Sequence, residues 1–167
     1  MDDCKPISTP IECGIKLSKN DEVRKVDTTL FKSLIWSLWY LTCTTPDILY
    51  AIGLVSRYMK TPTTTHFKSA KRILLYLKGT IDFSLFYSVS AYYKLVGYNY
   101  SDWAGNIDDR KSSIRFVFFA KNTSFTWLSK KHSIFTLSTC EAEYVPGTAC
   151  TCHAIWLRNL LKELCLS

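Results

Sequence analysis

The sequence predicts an α+β protein, because the spacing of its apolar residues changes along its 167 residues. Between Thr28 and about Gly79 the apolar residues recur at helical spacing. Around Val96 to Tyr100, Ile114 to Phe119 and Ser124 to Ser129 the spacing is that of short strands. A helical pattern returns from about Thr139 to Leu164. The fold class is therefore mixed, with a helical segment followed by a three-stranded sheet and one packed helix.

The first part of the chain has little periodicity. It contains Pro6, Pro10 and a run of mixed charge from Lys16 to Lys25, which is typical of a linker or of an unpaired remnant. We therefore divide the chain into a linker or remnant over residues 1–27, a helical segment over 28–90 and a sheet with one helix over 91–167.

Three helices are predicted in the helical segment. Pro46 suits the first turn of the second helix, and Gly79 suits the position after the end of the third. The predicted core stripes are Leu30, Leu34, Leu38 and Leu41 in the first helix, Ile48, Ile52, Val55 and Met59 in the second, and Phe67, Ala70, Ile73, Leu74 and Leu77 in the third.

The third helix also carries a basic face beside its apolar one, made of Lys68, Lys71, Arg72 and Lys78. With a net charge of +7 and a pI of about 9.0, the chain favours an anionic partner, and nucleic acid is favoured over a membrane surface. The same four cations also suit an ordinary solvated helix face.

Two acidic positions suggest metal chemistry. The strand that includes Tyr100 runs on to Asp102. Ser138 and Glu141 have capping-box spacing and start a helix that bears Glu143 on its second turn. An acid at a strand end and another on a helix can share a divalent cation, which prefers oxygen ligands. A solvated turn followed by a capped helix is the simpler interpretation.

Other classes of site and location receive less support. No apolar run approaches the ~20 residues of a membrane span, and there is no basic start of a signal peptide. Seven cysteines without regular spacing favour free thiols and an intracellular, cytoplasmic or nuclear, location. A zinc site at Cys140, Cys150, Cys152 and His153 lacks a second paired-ligand motif. Tyr100, Trp103 and Trp127 could stack on bases, but such aromatics also suit a core.

Two ordered sets of short motifs run along almost the whole chain. The upstream set is Cys4 to Pro6 with Thr9-Pro10, Tyr40 to Thr42, Pro46 to Ile48, Ser56 to Met59 and Ala70 to Leu74. The downstream set is Tyr98 to Asn106, Asp108 to Ser112, Val117 to Phe119, Trp127 to Lys131, Ser138 to Tyr144 and Ile155 to Arg158. In this order they resemble the end of the reverse transcriptase and the ribonuclease H domain of copia-type LTR retrotransposon Pol polyproteins.

The resemblance implies a fold and a chemistry. The helical segment would be the thumb and connection, which grip the template-primer duplex, and the sheet with its helix would be a truncated ribonuclease H-like domain. The family hydrolyses the RNA strand of an RNA:DNA hybrid with two Mg²⁺ ions held by carboxylates. Matched to this sequence, the first family aspartate falls at Tyr100 and the glutamate at Glu143. The remaining aspartates are expected beyond Ser167, and those of the reverse transcriptase upstream of Cys4.

Several departures from the family pattern argue against activity. Asp102 is a poor substitute for the acid lost at Tyr100, since residues two apart on a strand lie roughly 6.6–7 Å apart. Arg115 replaces a glycine, and Pro146 and Gly147 replace alanines within the helix. The apolar stripe predicted to be buried in that helix is Val145, Ala149, Cys152, Trp156 and Leu160.

The resemblance therefore predicts a degenerate, catalytically inactive fragment of a Pol polyprotein that does not bind Mg²⁺ productively. Three alternatives stay open: a hybrid nuclease whose missing acids come from elsewhere, a non-catalytic module that binds duplex or hybrid nucleic acid weakly, and a chain without function. In an intact element the partner would be the rest of Pol. The residues predicted to bind nucleic acid are Lys68, Lys71, Arg72, Lys78, Arg110, Lys130 and Lys131.

Overall fold

A computed structural model describes residues 4–19, 24–88, 94–132 and 136–164. The chain divides into two compact units, Met1–Phe83 and Ser84–Ser167, whereas the sequence placed this change at about residue 90. The mixed architecture is confirmed, with helices in the first unit and a sheet with one helix in the second. Among the described residues, no helix is both long and apolar enough to cross a membrane.

The first unit is helical. Its elements are α1 (Thr28–Leu41), a 3-10 turn (Pro46–Ile48), α2 (Leu49–Val55), a second 3-10 turn (Ser56–Tyr58) and α3 (Thr64–Gly79). Asp27 caps α1 by accepting a hydrogen bond from the backbone N–H of Thr29 at 2.9 Å. Most of the stripes predicted for α2 and α3 lie in or against one core, which is built around Ile48, Ile52, Val55, Ala70 and Ile73.

The stripe predicted for α1 is partly wrong. Phe31, Ile35 and Leu38 are buried, whereas Leu30 is 54% exposed and Leu41 is 37% exposed. Residues 31, 35 and 38 satisfy helical spacing as well as 30, 34 and 38 do, so periodicity alone does not choose between the two faces. The packing of α1 against α2 and α3 makes that choice.

The N-terminal residues take part in the first core, although the sequence indicated a linker or remnant. Leu17 is buried, and its carbonyl oxygen accepts a hydrogen bond from the Tyr58 hydroxyl at 2.7 Å. The His66 ring stacks on Tyr58, and its Nε2 forms a hydrogen bond with the Ser18 carbonyl oxygen at 3.1 Å. Residues 20–23 of the predicted mixed-charge run lie outside the described residues.

The second unit holds an antiparallel sheet in the order β1-β2-β3, as the strand patterns predicted. Its elements are β1 (Leu95–Asp102), β2 (Ser113–Ala120), β3 (Thr123–Lys131) and α4 (Thr139–Glu163). Phe116 and Phe118 of β2 pack with Cys150 and Leu157 of α4 in a small core. Because side chains alternate along a strand, one face of the sheet meets α4 and the other does not.

The start of α4 is confirmed, but its predicted buried stripe is wrong. The Ser138 hydroxyl caps the helix by accepting a hydrogen bond from the Glu141 N–H at 3.1 Å. The buried residues are Ala142, Pro146, Cys150 and Leu157, whereas the predicted Trp156 is 56% exposed and Leu160 is 40% exposed. The helix meets the sheet mainly through small side chains, which allow a close approach, so its largest apolar side chains do not mark the buried face.

Candidate functional site

The loop between β1 and β2 contains two parts of the downstream motif set, Trp103 to Asn106 and Asp108 to Ser112, and is held by its own polar groups. Asn106 is buried, its side-chain oxygen accepts a hydrogen bond from the Asp108 N–H, and its carbonyl oxygen accepts one from the Arg110 N–H, each at 2.8 Å. The Ala104 N–H donates to the Ser112 hydroxyl at 3.3 Å. These motif residues therefore have a structural role in shaping the loop.

Asp109 ties the same loop to the end of β3. Its carboxylate forms an ion pair with Lys131 and accepts a hydrogen bond from the Lys111 N–H. Burial raises the pKa of Asp109, but the hydrogen bonds and positive charges of Lys131 and Lys111 outweigh burial and hold this pKa below its usual value. Lys131 is thus already paired within the protein.

Tyr100, where the sequence resemblance implies the family's first aspartate, lies directly opposite Arg115 in the β1–β2 ladder. The guanidinium carbon of Arg115 lies 4.6 Å from the centre of the Tyr100 ring, within the range of a cation–π contact. Arg115 also forms an ion pair with Asp102 at 3.6 Å. Two of the positions that the resemblance marks as departures from the family pattern, 100 and 115, therefore contact each other.

Glu143 lies elsewhere in the second unit. It is exposed on the second turn of α4. The groove under α4 is lined by Leu95, Gly97 and Asn99 of β1, so alternation places the Tyr100 side chain on the opposite face of the sheet. The structure does not bring Tyr100 and Glu143 together.

Among the described residues, the carboxylates do not form the cluster that the resemblance implies for a Mg²⁺ site. Within the described ranges, no group of three or more His, Cys, Asp or Glu side chains is arranged to hold a metal ion. A phenol at position 100 offers a weaker oxygen ligand than a carboxylate, and Arg115 places a positive charge beside it. The residues present therefore do not fit the expected pair of Mg²⁺ ions.

The four cationic side chains predicted on α3 differ in their exposure and in their hydrogen-bond partners. Lys68 and Lys71 are exposed, and the Lys71 ammonium lies 4.7 Å from the centre of the Phe67 ring. Arg72 donates to the Glu12 carboxylate at 3.1 Å and to the Thr9 hydroxyl at 3.0 Å. Lys78 donates to the carbonyl oxygen of Cys4 at 3.1 Å. Two of the four cations are therefore engaged by the N-terminal residues.

The three cations predicted in the second unit also differ. Arg110 is exposed and has a φ of 51°, a left-handed conformation that is uncommon for a residue with a side chain. Lys130 is exposed on β3, and its neighbour Lys131 forms the ion pair with Asp109.

Two of the residues predicted to stack on bases, Tyr100 and Trp103, are only partly accessible to a base. Tyr100 is 60% exposed, but one side of its ring is occupied by Arg115. Trp103 is 47% exposed, and its indole N–H donates to the Thr136 carbonyl oxygen at 3.3 Å.

Comparison with known proteins identifies the family. The Pol polyprotein of transposon TNT 1-94 from Nicotiana tabacum is 39% identical over 171 residues, and the alignment covers 98% of this chain. The Pol polyprotein of transposon RE2 from Arabidopsis thaliana is 34% identical over 160 residues, covering 96% of it. The chain belongs to the retrovirus-related Pol polyproteins of copia-type transposons. It spans only 13% and 11% of the lengths of these two Pol polyproteins.

A third relative is much shorter than the Pol polyproteins. Secreted RxLR effector protein 161 from Plasmopara viticola is 34% identical over 128 residues, which are 76% of this chain and 90% of that protein. A segment similar to this part of Pol therefore makes up most of another protein. No protein-family profile and no solved structure matches the chain.

Sequence reasoning missed the partners of three polar residues in this region. It identified Arg115 only as a departure from the family pattern, because the long loop between Asp102 and Ser113 gives no local signal for the register that places Arg115 opposite Tyr100. The buried Asn106 and the Asp109–Lys131 pair were read only as parts of a motif. An Asn followed by two Asp residues in a Gly-containing loop is a signal for side-chain-supported turns.

Proposed function

We propose that this chain is a catalytically inactive portion of the reverse transcriptase and ribonuclease H region of a copia-type Pol polyprotein. The observation that carries the proposal is the Tyr100–Arg115 contact. It fills the family's first aspartate position with a phenol and puts a cation where the expected Mg²⁺ ion would need a carboxylate. Glu143, the retained family acid, is left without that partner.

The electrostatics of the position support the same conclusion. Asp102 is the nearest carboxylate along β1, and Arg115 already neutralises it. The Asp102 carboxylate also accepts a hydrogen bond from the Ser113 N–H. A metal ion at this point would have to displace a cation from Asp102 and tolerate the charge of Arg115 nearby. We therefore propose that Mg²⁺ is not bound productively.

Calorimetric titration of the full chain with Mg²⁺ and Mn²⁺ tests this proposal. We expect no saturable binding of either ion to the wild-type chain. Saturable binding that Glu143→Gln abolishes, while Glu141→Gln leaves it unchanged, would overturn the proposal. Glu141 is the matched control because it lies on the first turn of α4, where its carboxylate accepts a hydrogen bond from the Leu137 N–H at 2.7 Å.

A second candidate function is weak, sequence-independent binding of duplex or hybrid nucleic acid in the first unit. Lys68 and Lys71 are exposed one turn apart on α3, and they are free of ion pairs within the described residues. Two ammonium groups at this spacing can contact neighbouring phosphates, and the net charge of +7 adds a general attraction. We likewise propose that this helical unit has the thumb-like role that the family resemblance implies.

Salt dependence distinguishes phosphate contacts from other binding. For duplex DNA we expect log affinity to fall linearly with log salt, with a slope of about −0.9 per phosphate contacted. The double variant Lys68→Glu/Lys71→Glu should weaken binding. The slope should also become shallower, by about the amount that two phosphate contacts contribute. Lys32→Glu/Lys60→Glu, which alters exposed lysines elsewhere in the same unit, is the control of equal charge. Equal loss in both double variants would refute a specific role for α3.

A further inference from the structure

The N-terminal segment, residues 4–18, lies along α3 and runs in the opposite direction to the helix. The Lys78 ammonium, in the last turn of α3, donates to the Cys4 carbonyl oxygen at 3.1 Å. Nε2 of His66, in the first turn, forms a hydrogen bond with the Ser18 carbonyl oxygen at 3.1 Å. The segment is therefore attached to both ends of α3, and the side chain between these two points decides how its middle is held.

Arg72 holds the middle of this segment, but its guanidinium is only partly satisfied there. Nη1 donates to the Glu12 carboxylate at 3.1 Å, and Nη2 donates to the Thr9 hydroxyl at 3.0 Å. The buried Nε has no hydrogen-bond partner among the described residues. In a guanidinium Nε and Nη2 donate side by side, a geometry that matches two oxygens of a phosphate. The Thr9 hydroxyl accepts from only one of these two donors.

Thr9 is followed by a proline. The chain contains three Thr–Pro steps and no Ser–Pro step, and the Thr–Pro steps are at residues 9–10, 45–46 and 61–62. Proline disfavours the helical conformation for the residue before it and keeps that residue extended. An extended hydroxyl residue followed by proline is the substrate pattern of one class of serine/threonine kinases. Each of the three steps therefore has the local sequence of a phosphate acceptor.

The fold leaves the first of these steps accessible and hides the other two. A modifying enzyme must hold residues on both sides of its acceptor, so the acceptor has to lie in an exposed, irregular segment. Thr9 is exposed, and the residues around it form neither helix nor strand. Pro62, in contrast, is fully buried. Pro46 begins a 3-10 turn, and Ile48 of the same turn is fully buried.

We infer that Thr9 is a phosphorylation site for a serine/threonine kinase that requires proline after its acceptor, and that Arg72 binds the phosphate. In the transfer, Oγ1 of Thr9 attacks the γ-phosphorus of ATP. The new O–P bond forms as the bond between this phosphorus and the β,γ-bridging oxygen breaks. ADP leaves with the bonding electron pair, and the hydroxyl proton passes to the base of the kinase.

The phosphate gives Arg72 a stronger partner than Glu12. It carries a charge of about −1.5 to −2 at neutral pH, and its oxygens accept from Nε and Nη2 together. Thr9 and Glu12 contact the same guanidinium, so the two negative groups repel each other, and the singly charged carboxylate gives way. Phosphorylation therefore holds the middle of the N-terminal segment more firmly on α3.

Phosphorylation of the full, folded chain tests the modification site. The chain is incubated with Mg²⁺, ATP and a proline-directed serine/threonine kinase, and mass spectrometry of its peptides locates the phosphate. We expect phosphorylation of Thr9 at least about tenfold faster than that of Thr45 or Thr61. Thr9→Ala should remove most of the incorporated phosphate. Thr61→Ala, which removes an exposed threonine that also precedes proline, should leave the rate within about twofold of the wild-type rate.

Thermal unfolding tests the role of Arg72. Each variant is compared before and after phosphorylation, so the effect of the substitution itself cancels. Phosphorylation should raise the unfolding midpoint of the wild-type chain by about 3 °C or more, because it adds charge-assisted hydrogen bonds. Arg72→Lys, which keeps the charge without the paired donors, should lose at least about half of this gain, and Arg72→Gln should lose nearly all of it. Glu12→Gln, which removes the competing carboxylate, should keep the gain.

Four results would overturn the inference. Absence of phosphate from Thr9, or equal rates at Thr9 and Thr61 in the folded chain, would show that the exposed N-terminal step is not the acceptor. An unfolding midpoint that phosphorylation of the wild-type chain leaves unchanged would show that the phosphate gains no partner. An equal gain in Arg72→Gln and in the wild-type chain would show that the phosphate acts through the net charge of the chain and not through Arg72.

Discussion

Tyr100 and Arg115 face each other across β1 and β2, with the Arg115 guanidinium carbon 4.6 Å from the centre of the Tyr100 ring. Both residues differ from those that the family resemblance implies at these positions, and together they form a local contact that also includes Asp102. Arg115 therefore links β1 and β2 through Tyr100 and Asp102, and it places a positive charge beside the position where the family resemblance implies a metal-binding acid.

A double-mutant cycle measures this contact. We expect Tyr100→Ala and Arg115→Ala to be coupled by about 0.5–1 kcal/mol in urea unfolding, the range of cation–π contacts near a surface. Tyr98→Ala with Arg115→Ala is the control, because Tyr98 packs on Phe119 instead. Coupling of equal size in both cycles would show that Tyr100 has no particular relation to Arg115.

Two glycines of the second unit should respond oppositely to alanine. A Cβ atom at Gly97 would lie 2.5 Å from the Phe118 ring, and Phe118 is only 1% exposed. Gly97→Ala should therefore destabilise the protein by about 1–3 kcal/mol. Gly147 lies inside α4, where a Cβ atom meets only Asn99 at 3.6 Å. Gly147→Ala should stabilise the helix by about 0.8–1 kcal/mol. Thermal unfolding of both variants checks the signs, and a stabilising Gly97→Ala would refute the packing of Phe118 on β1.

Tyr76 should titrate at unusually high pH. Its hydroxyl donates a hydrogen bond to Asp47, and burial, this bond and the Asp47 charge together raise the pKa of Tyr76 to about 12. Since the unfolded value is about 10, the resulting stability is fully present below pH 10 and is lost as pH rises through 12. Phenolate absorbance should show a late component that Tyr76→Phe removes and that Asp47→Asn shifts to lower pH. An identical absorbance titration in wild type and Asp47→Asn would contradict this account.

Glu12 should restrain nucleic-acid binding by the first unit. It pairs with Arg72, so Glu12→Gln should release a cation that can contact phosphate. We expect tighter binding to duplex DNA and a salt slope that is steeper by up to about 0.9. Asp82→Gln, an exposed acid in the same unit away from α3's described partners, controls for the change in net charge. Equal gains in both variants would assign the effect to net charge alone.

Periodicity and turn signals predicted most elements of the fold, because each leaves a local pattern. The strands, α3 and the Ser138 cap of α4 were predicted correctly. Which face of a helix is buried depends on its packing partners, which is why the stripes of α1 and α4 were displaced. Leu17 shows the same limit, since its segment has little periodicity but packs into the core.

The sequence could identify the residues of the candidate site, but it could not show where the fold places them. The family resemblance located Tyr100 and Glu143, but it gave no information on which face of the sheet each would occupy. Likewise, the spacing of the α3 cations could not show that Arg72 and Lys78 are engaged by residues sixty or more positions earlier. Contacts between distant segments decide which charges remain available.

The most direct test of the central claim is cleavage of a labelled RNA:DNA hybrid by an excess of the purified chain in Mg²⁺. We expect no cleavage above a control containing chelator, and no cleavage by Tyr100→Asp, because Arg115 would pair with the new carboxylate as it does with Asp102. Mg²⁺-dependent cleavage by the wild-type chain that Glu143→Gln abolishes would contradict the proposal of an inactive Pol-derived chain.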